Sequence, residues 1–398
     1  MPGFELFGDA ERKQVQDVLD SGVLMRYGFD GLRNGHWKAV ELEKALAKRM
    51  QVNHAQLVSS GTAALTVALA SAGVGAGDEV IMPTFTFVAS FESILAIGAI
   101  PVLVDVDDTL TLDPIAVENA VTERTKVVMP VHMCGSMADL KALKTICKKH
   151  GLILLEDACQ AIGGSFEGVP LGGYGDLGCF SFDYVKTITC GEGGAVITNN
   201  EKYHLNADHY SDHGHDHFGK DRGAEGHPFL GYNYRISELN AAVGLAQIVR
   251  LDEFLSIQKT NYTFLRNALE GIPGITFRRV PEGGEESYAF LNFFLPDEMT
   301  ARKVHKSLGE AGVDACFYWY DNNWHYYRKW EHLTGLKSLG RLPEEVVEQL
   351  PDYRKSDFST SDHWVGRNIS CLIKLGWSED ELNTRAAKMK ATMQAILY

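Results

Sequence analysis

Leu152-Ile153-Leu154-Leu155-Glu156-Asp157-Ala158-Cys159-Gln160 is the stretch that decides the fold. Its apolar run follows Gly151 and ends in two acids, which reads as a strand buried on both faces. Strands of that kind belong to parallel sheets with helices on either side. The same signature recurs outward from it, at Val80-Ile81-Met82, Val102-Leu103-Val104 and Val127-Val128-Met129 on one side and at Phe180-Ser181-Phe182 and Ala195-Val196-Ile197 on the other. Helical patterns fall between them at 62–72, 88–97, 113–121 and 137–149, the last closing on Lys148-Lys149 and Gly151, a basic helix end with a glycine stop. This alternation predicts an α/β fold with a mainly parallel central sheet flanked by helices.

A different regime begins near residue 250. The pattern predicts helices at 252–271, 299–311 and 378–395, with strands at Ile275-Thr276-Phe277-Arg278 and Ala289–Phe294. That mixture reads as a smaller α+β lobe. The expected organisation is a large domain over 1–250 and a small C-terminal domain over 251–398. No Pro/Gly-rich linker separates the two, so packed lobes are expected.

At 398 residues the chain is long enough to bury a large core. A formal net charge of −14 argues against a general nucleic-acid binder, which carries a basic face. It leaves an anionic small substrate open, because a few arginines can reverse the field inside a cleft. The cysteines (134, 147, 159, 179, 190, 316 and 371) include no CxxC pair and sit mostly in apolar runs, as reduced thiols do. The N-terminus lacks the basic and apolar regions of a signal peptide. No apolar run approaches the ~20 residues that span a bilayer. The expectation is a soluble, cytoplasmic protein with no membrane or nucleic-acid partner.

The chemistry-bearing residues follow the strands. Asp157 stands where an apolar strand ends, and in parallel α/β sheets ligands bind beyond the carboxyl ends of the strands. Glu156 alternates to the other side and is the weaker candidate. Downstream, Ser181-Phe182-Asp183-Tyr184-Val185-Lys186 leads into Gly191-Glu192-Gly193-Gly194. An acid at a strand end and a lysine in a small-residue setting suit pyridoxal phosphate (PLP), which needs an amine for a Schiff base and an acid to protonate its pyridine nitrogen. Ser59-Ser60-Gly61-Thr62-Ala63-Ala64 opens a helix. It reads either as a phosphate cradle of free N–H groups or as a plain N-cap at Ser60 or Thr62. The loop from His204 to His227, with Asp212-His213-Gly214-His215-Asp216-His217, reads as a polar active-site or subunit-interface loop, and no metal site is assigned to it. The block Phe317-Tyr318-Trp319-Tyr320 with Asn322, Asn323, Trp324 and His325 suits either packing between lobes or a sugar.

Taken together, these motifs resemble the fold-type I, PLP-dependent sugar aminotransferases of the DegT/DnrJ family. The match runs through Ser60–Leu65, Pro83–Phe87, Val131–Gly135, Glu156–Ala161, the Lys186 segment and Gly231–Arg235. The resemblance implies that Lys186 is the Schiff-base residue and that Asp157 pairs with the pyridine nitrogen. Gln160 would bond the ring hydroxyl and Phe87 would stack on the ring. Gly61, Thr62 and Ser181 would hold the phosphate, with Asn233 reaching it from the other subunit of a homodimer with shared active sites. Some relatives replace the lysine with histidine and act as dehydratases, so Lys186 implies amino transfer, with glutamate as donor. Ser211-Asp212-His213-Gly214 departs from the many relatives that carry an arginine shortly before His-Gly, so the resemblance implies no substrate contact on that loop. The 213–217 loop and the 317–325 block are similar to the branch that converts 8-oxo-Kdo to 8-amino-3,8-dideoxy-manno-octulosonate for lipopolysaccharide. Arg26, Lys220 and Arg222 are the candidates for that sugar's carboxylate. A nucleotide-linked 3- or 4-keto sugar aminotransferase and a non-catalytic PLP-binding regulator are the alternatives.

Overall fold

The apolar runs build a seven-stranded sheet from β1 (His54–Val58), β2 (Glu79–Pro83), β3 (Ile100–Val104), β4 (Thr125–Val128), β5 (Ile153–Asp157), β8 (Leu177–Ser181) and β9 (Gly194–Thr198). The short strands β6 (Ser165–Phe166) and β7 (Val169–Pro170) lie outside it. The computed structural model describes residues 2–219 and 222–398. Strand order is β1-β9-β8-β5-β4-β2-β3, and every neighbouring pair from β8 to β3 is parallel. β9 runs against both β1 and β8, so the sheet is mainly parallel, as the sequence implies. Helices Gly61–Ser71, Ala89–Ala96 and Leu140–His150 fall close to the predicted spans.

Two kinds of element escape the sequence pattern. β1 interleaves His54 and Gln56 with apolar residues, so no apolar run marks it. Gln56 is buried nonetheless, because its amide donates to Ser211 Oγ at 3.2 Å. Helices Asp9–Ser21, Lys38–Met50, Glu201–Ser211 and Glu238–Val249 also add to the expected set.

The C-terminal part carries an antiparallel sheet of order β10-β12-β14-β13, from β10 (Thr276–Phe277), β12 (Phe290–Phe294), β13 (Cys316–Phe317) and β14 (Asn368–Leu372). Helices Leu251–Leu269, Glu298–Glu310 and Glu379–Leu397 share its core through Leu265, Val304, Leu308 and Met389. β11 (Gly284–Glu285) pairs with β6 and ties this part back to the larger one. No helix of the described residues is long and apolar enough to cross a membrane.

The site is set by where the strands stop. β1, β5 and β8 run in the same direction, so the turn after Val58, Asp157 and Ser181 gather at one edge of the sheet. A cleft of ≈ 550 Å³ opens there, roofed by Phe317, Trp319, Trp324 and His325.

Candidate active site

Gly61 begins the helix Gly61–Ser71, and Ser60 caps it, its hydroxyl accepting from Ala63 N at 3.0 Å. Ser60 is the cap, while Gly61 and Thr62 line the cleft at a helix end whose first N–H groups have no intrahelical partner. Ser181, at the end of β8, closes the same corner. The approach is tight: a Cβ on Gly61 would lie 2.7 Å from Ser181 Cβ and 3.0 Å from its Oγ.

Asp157 is buried at the floor of the cleft. Its Oδ2 accepts from Ser90 Oγ at 2.8 Å and its Oδ1 from the N–H of Cys159 at 3.2 Å. Ser90 was not legible in the sequence. It sits in the first turn of the helix Ala89–Ala96, where a serine marks only a helix start. Glu156 faces the other way, as strand alternation requires. Fully buried, it accepts from Gly172 N (2.9 Å), Tyr174 N (2.8 Å) and Gly175 N (2.7 Å), and it meets His132 Nε2 at 2.8 Å. Adjacent acids thus serve opposite sides of one strand.

Gln160 lines the cleft with its amide oriented: Oε1 accepts from Cys134 N at 3.0 Å, leaving the NH₂ as the donor. Lys186 lines the side of the cleft. Its backbone is fixed by Lys186 N donating to Asp183 O and Gly3 N donating to Lys186 O. Phe87 keeps a partly exposed face in the cleft and stacks on Trp324, with centroids 5.5 Å apart and planes 6° from parallel. His325 lies 5.3 Å from Phe87 and 4.4 Å from Trp319, with Nδ1 2.9 Å from Asn322 Oδ1. Burial, helped by the Lys186 charge, pushes its pKa down to about 3, so the ring is neutral at working pH. The aromatic block divides by side. Phe317, Trp319, Asn322, Trp324 and His325 line the cleft, whereas Tyr318 donates to Gly366 O and Tyr326 to Asp362.

Three expected contacts lie elsewhere. Asn233 is exposed on the segment 231–235 and does not line its own chain's cleft. Arg26 is buried away from the cleft, its guanidinium 2.6 Å from Glu43 Oε1 and 3.2 Å from Leu57 O, which corrects its reading as a substrate contact. Arg222 donates to both oxygens of Asp212, at 2.7 and 2.6 Å. Lys220 falls outside the described residues.

Residues 7–354 match the profile of the DegT/DnrJ/EryC1/StrS aminotransferase family. The chain belongs to this family. Among its relatives, 3-amino-5-hydroxybenzoate synthase of Amycolatopsis mediterranei is 39% identical over 79% of this chain and 80% of that protein. GDP-perosamine synthase of Vibrio cholerae is 35% identical over 74% of this chain and 77% of that protein. The crystal structure of an aminotransferase from Psychrobacter cryohalolentis superposes with a TM-score of 0.84 at 25% identity, covering 98% of both chains. The family has fold type I, and this member is a PLP-dependent aminotransferase.

The donor set fits the cofactor. A helix end with free N–H groups lies beside Ser181, and a buried carboxylate held by two hydrogen bonds lies at the floor. A lysine stands at the side and an aromatic face above. PLP bound here supplies an electron sink for negative charge at the amino donor's α-carbon.

Proposed function

We propose that this aminotransferase moves an amino group from glutamate to a keto sugar, and that the sugar is 8-oxo-Kdo, giving 8-amino-3,8-dideoxy-manno-octulosonate for lipopolysaccharide. The observation that carries the sugar reading is the cleft wall. Phe317, Trp319 and Trp324 offer flat apolar faces, and Asn322 and His325 offer hydrogen-bonding groups beside them. The octulosonate reading rests on the 213–217 and 317–325 segments.

In this reading Lys186 Nζ would be the general base that takes the proton from the donor's α-carbon and the acid that hands it back from the same side of the cleft. Asp157, kept in place by Ser90 and Cys159 N–H, holds the pyridine nitrogen protonated. Gly61, Thr62 and Ser181 bind the phosphate, Gln160 the ring hydroxyl, and Phe87 confines the ring.

Lys186 is the only cation among the described residues lining the cleft, so the sugar carboxylate calls for a cation from outside this chain's own wall. A homodimer with shared active sites answers that, with Asn233 reaching the partner's phosphate. Exposed apolar residues near the cleft mouth and on the 218–232 stretch support it: Tyr184, Val185, Phe218, Leu230 and Tyr232. The division into domains 1–250 and 251–398 and a reducing cytoplasmic setting, in keeping with seven unpaired cysteines, belong to the same proposal.

The second reading is a nucleotide-linked keto sugar, favoured by the GDP-perosamine synthase relative. The test supplies enzyme, PLP and glutamate with the 8-oxo octulosonate or with nucleotide-linked 3- and 4-keto sugars, and identifies products by mass. Amination of the octulosonate is expected. Efficient amination of a nucleotide sugar with none of the octulosonate would replace the substrate and leave the aminotransferase standing.

A further inference from the structure

Asp212 is fully buried, and charged side chains converge on it. Its carboxylate receives Arg222, the Arg235 guanidinium and His217 Nε2 at 2.9 Å. The other ring nitrogen of His217, Nδ1, lies 2.8 Å from Asp208 Oδ2. Two carboxylates facing both nitrogens of one imidazole require two N–H donors, which only the imidazolium has. Tyr27 completes the box: its ring stacks on His217 at 4.1 Å and its hydroxyl donates to Asp208 Oδ1 at 2.7 Å.

The same residues are bolted to the segment that carries Asn233. Asp212 and Asn233 pair across an antiparallel bridge. His213 N donates to Tyr232 O at 3.0 Å, Tyr234 N to Ser211 O at 2.9 Å and Tyr232 N to Tyr210 O at 2.9 Å. From the other side, Ser59 N donates to Tyr234 O at 2.7 Å, one residue from the phosphate turn's cap. A Cβ on Gly231 would lie 2.3 Å from Gly214 N, so the two strands touch backbone to backbone.

We propose that His217, as an imidazolium shared by Asp208 and Asp212, is a positioning residue that clamps the 231–235 segment and so sets where Asn233 meets the partner's cofactor phosphate. The proposal rests on the reading of Asn233 given above. It also explains why an aspartate suits position 212: the clamp needs an anion between two guanidiniums and the ring.

The groups around His217 are Asp208 and His209 of the helix Glu201–Ser211, Tyr27 with the Arg26 guanidinium against its ring, and Asp212, His215, Arg222 and Arg235. Burial lowers the affinity of His217 for its proton, but the hydrogen bonds to Asp208 and Asp212 outweigh it and raise the pKa to about 9. Both carboxylates are held below their usual range by burial's opponents, the same His217 bonds and the arginines. A folded pKa above the unfolded value means that the clamp is complete below about 6.5 and is lost as pH rises through about 9.

Asp212, His215 and His217 also have the grouping of a cation site. Here the Asp212 oxygens are taken by Arg222 and Arg235, whose charges repel a metal. The proton is the occupant the local charges favour.

The test is amide exchange of the 228–236 region in the holoenzyme between pH 6 and 10, corrected for intrinsic rates. Protection is expected to fall about tenfold as pH passes 9, a loss of one bound proton. His217→Gln should give low, pH-independent protection and weaker PLP retention. Asp208→Asn should move the midpoint to lower pH, which a merely structural role would not do. Flat wild-type protection up to pH 10 overturns the clamp, as does an unmoved midpoint in Asp208→Asn. So does a stoichiometric zinc that is lost in His217→Gln. If His217→Gln does not fold, the wild-type series and the Asp208→Asn midpoint decide. Mixing Lys186→Ala with Asn233→Ala dimers tests Asn233 separately. Subunit exchange without returning activity removes the shared-site reading while the exchange data still judge the clamp.

Discussion

Removing Glu156 should destabilise this protein without touching its chemistry, and the magnitude follows from four contacts. Glu156→Ala leaves the N–H groups of Gly172, Tyr174 and Gly175 without their acceptor and strips His132 of its partner, all in a fully buried pocket. Each orphaned buried donor is worth about 1 kcal/mol or more. Three of them, with a broken buried His–Glu contact, give a loss of about 3–5 kcal/mol. Glu156→Gln keeps one carbonyl for Tyr174 and Gly175 but turns an NH₂ toward Gly172 N–H, so its loss should be about 1–3 kcal/mol. The order Ala worse than Gln is therefore fixed. Denaturant unfolding followed by tryptophan fluorescence measures it, alongside kcat at a temperature where the variant is folded. Unchanged stability in the alanine variant would refute the reasoning. A loss of kcat in folded Glu156→Gln comparable to that of Asp157→Asn would refute it too, because the two acids would then share one role.

Gly61→Ala should weaken PLP binding by about tenfold, near 1.4 kcal/mol, because its Cβ would press against Ser181; titration of the apoenzyme gives the constant, and an unchanged value would put the phosphate elsewhere. Arg26→Gln should destabilise by about 3–5 kcal/mol by stranding the buried Glu43 carboxylate, with KM for the sugar unchanged. A raised KM at unaltered stability would return Arg26 to the substrate. His325, neutral at working pH, predicts that His325→Gln keeps the shape of the kcat/KM profile between pH 5 and 8. Disappearance of a limb in that range would show that His325 titrates there.

Residues whose role depends on where a strand stops were legible in the sequence. The apolar run Leu152–Leu155 fixes β5, alternation then assigns Asp157 to the cleft and Glu156 to the far side, and the structure has both there. The turn at Ser60–Thr62 was readable for the same reason, since helix starts carry their own signature. What stayed hidden was set by tertiary approach. Ser90 reaches Asp157 across 67 positions of sequence, and nothing in a helix-opening serine announces that. Arg26 looked available for a substrate because the partner that buries it, Glu43, lies on a separate helix. β1 was missed because Gln56 is buried by hydrogen bonds to distant partners, Ser211 and Tyr27, rather than by an apolar pattern. The His204–His227 loop showed its composition but not its pairing, which depends on Tyr27, Asp208 and Arg235 converging on Asp212 and His217.

The catalytic reading requires Lys186 to be the amine that would engage PLP, with Asp157 as the partner of its pyridine nitrogen. Borohydride reduction of the holoenzyme, followed by proteolysis and peptide mass mapping, locates the cofactor covalently. The predicted result is a pyridoxyl-phosphate adduct on Lys186 alone, absent in Lys186→Ala and retained in Asp157→Asn although turnover there is severely reduced. An adduct on any other lysine, or wild-type transamination by Lys186→Ala, would contradict it.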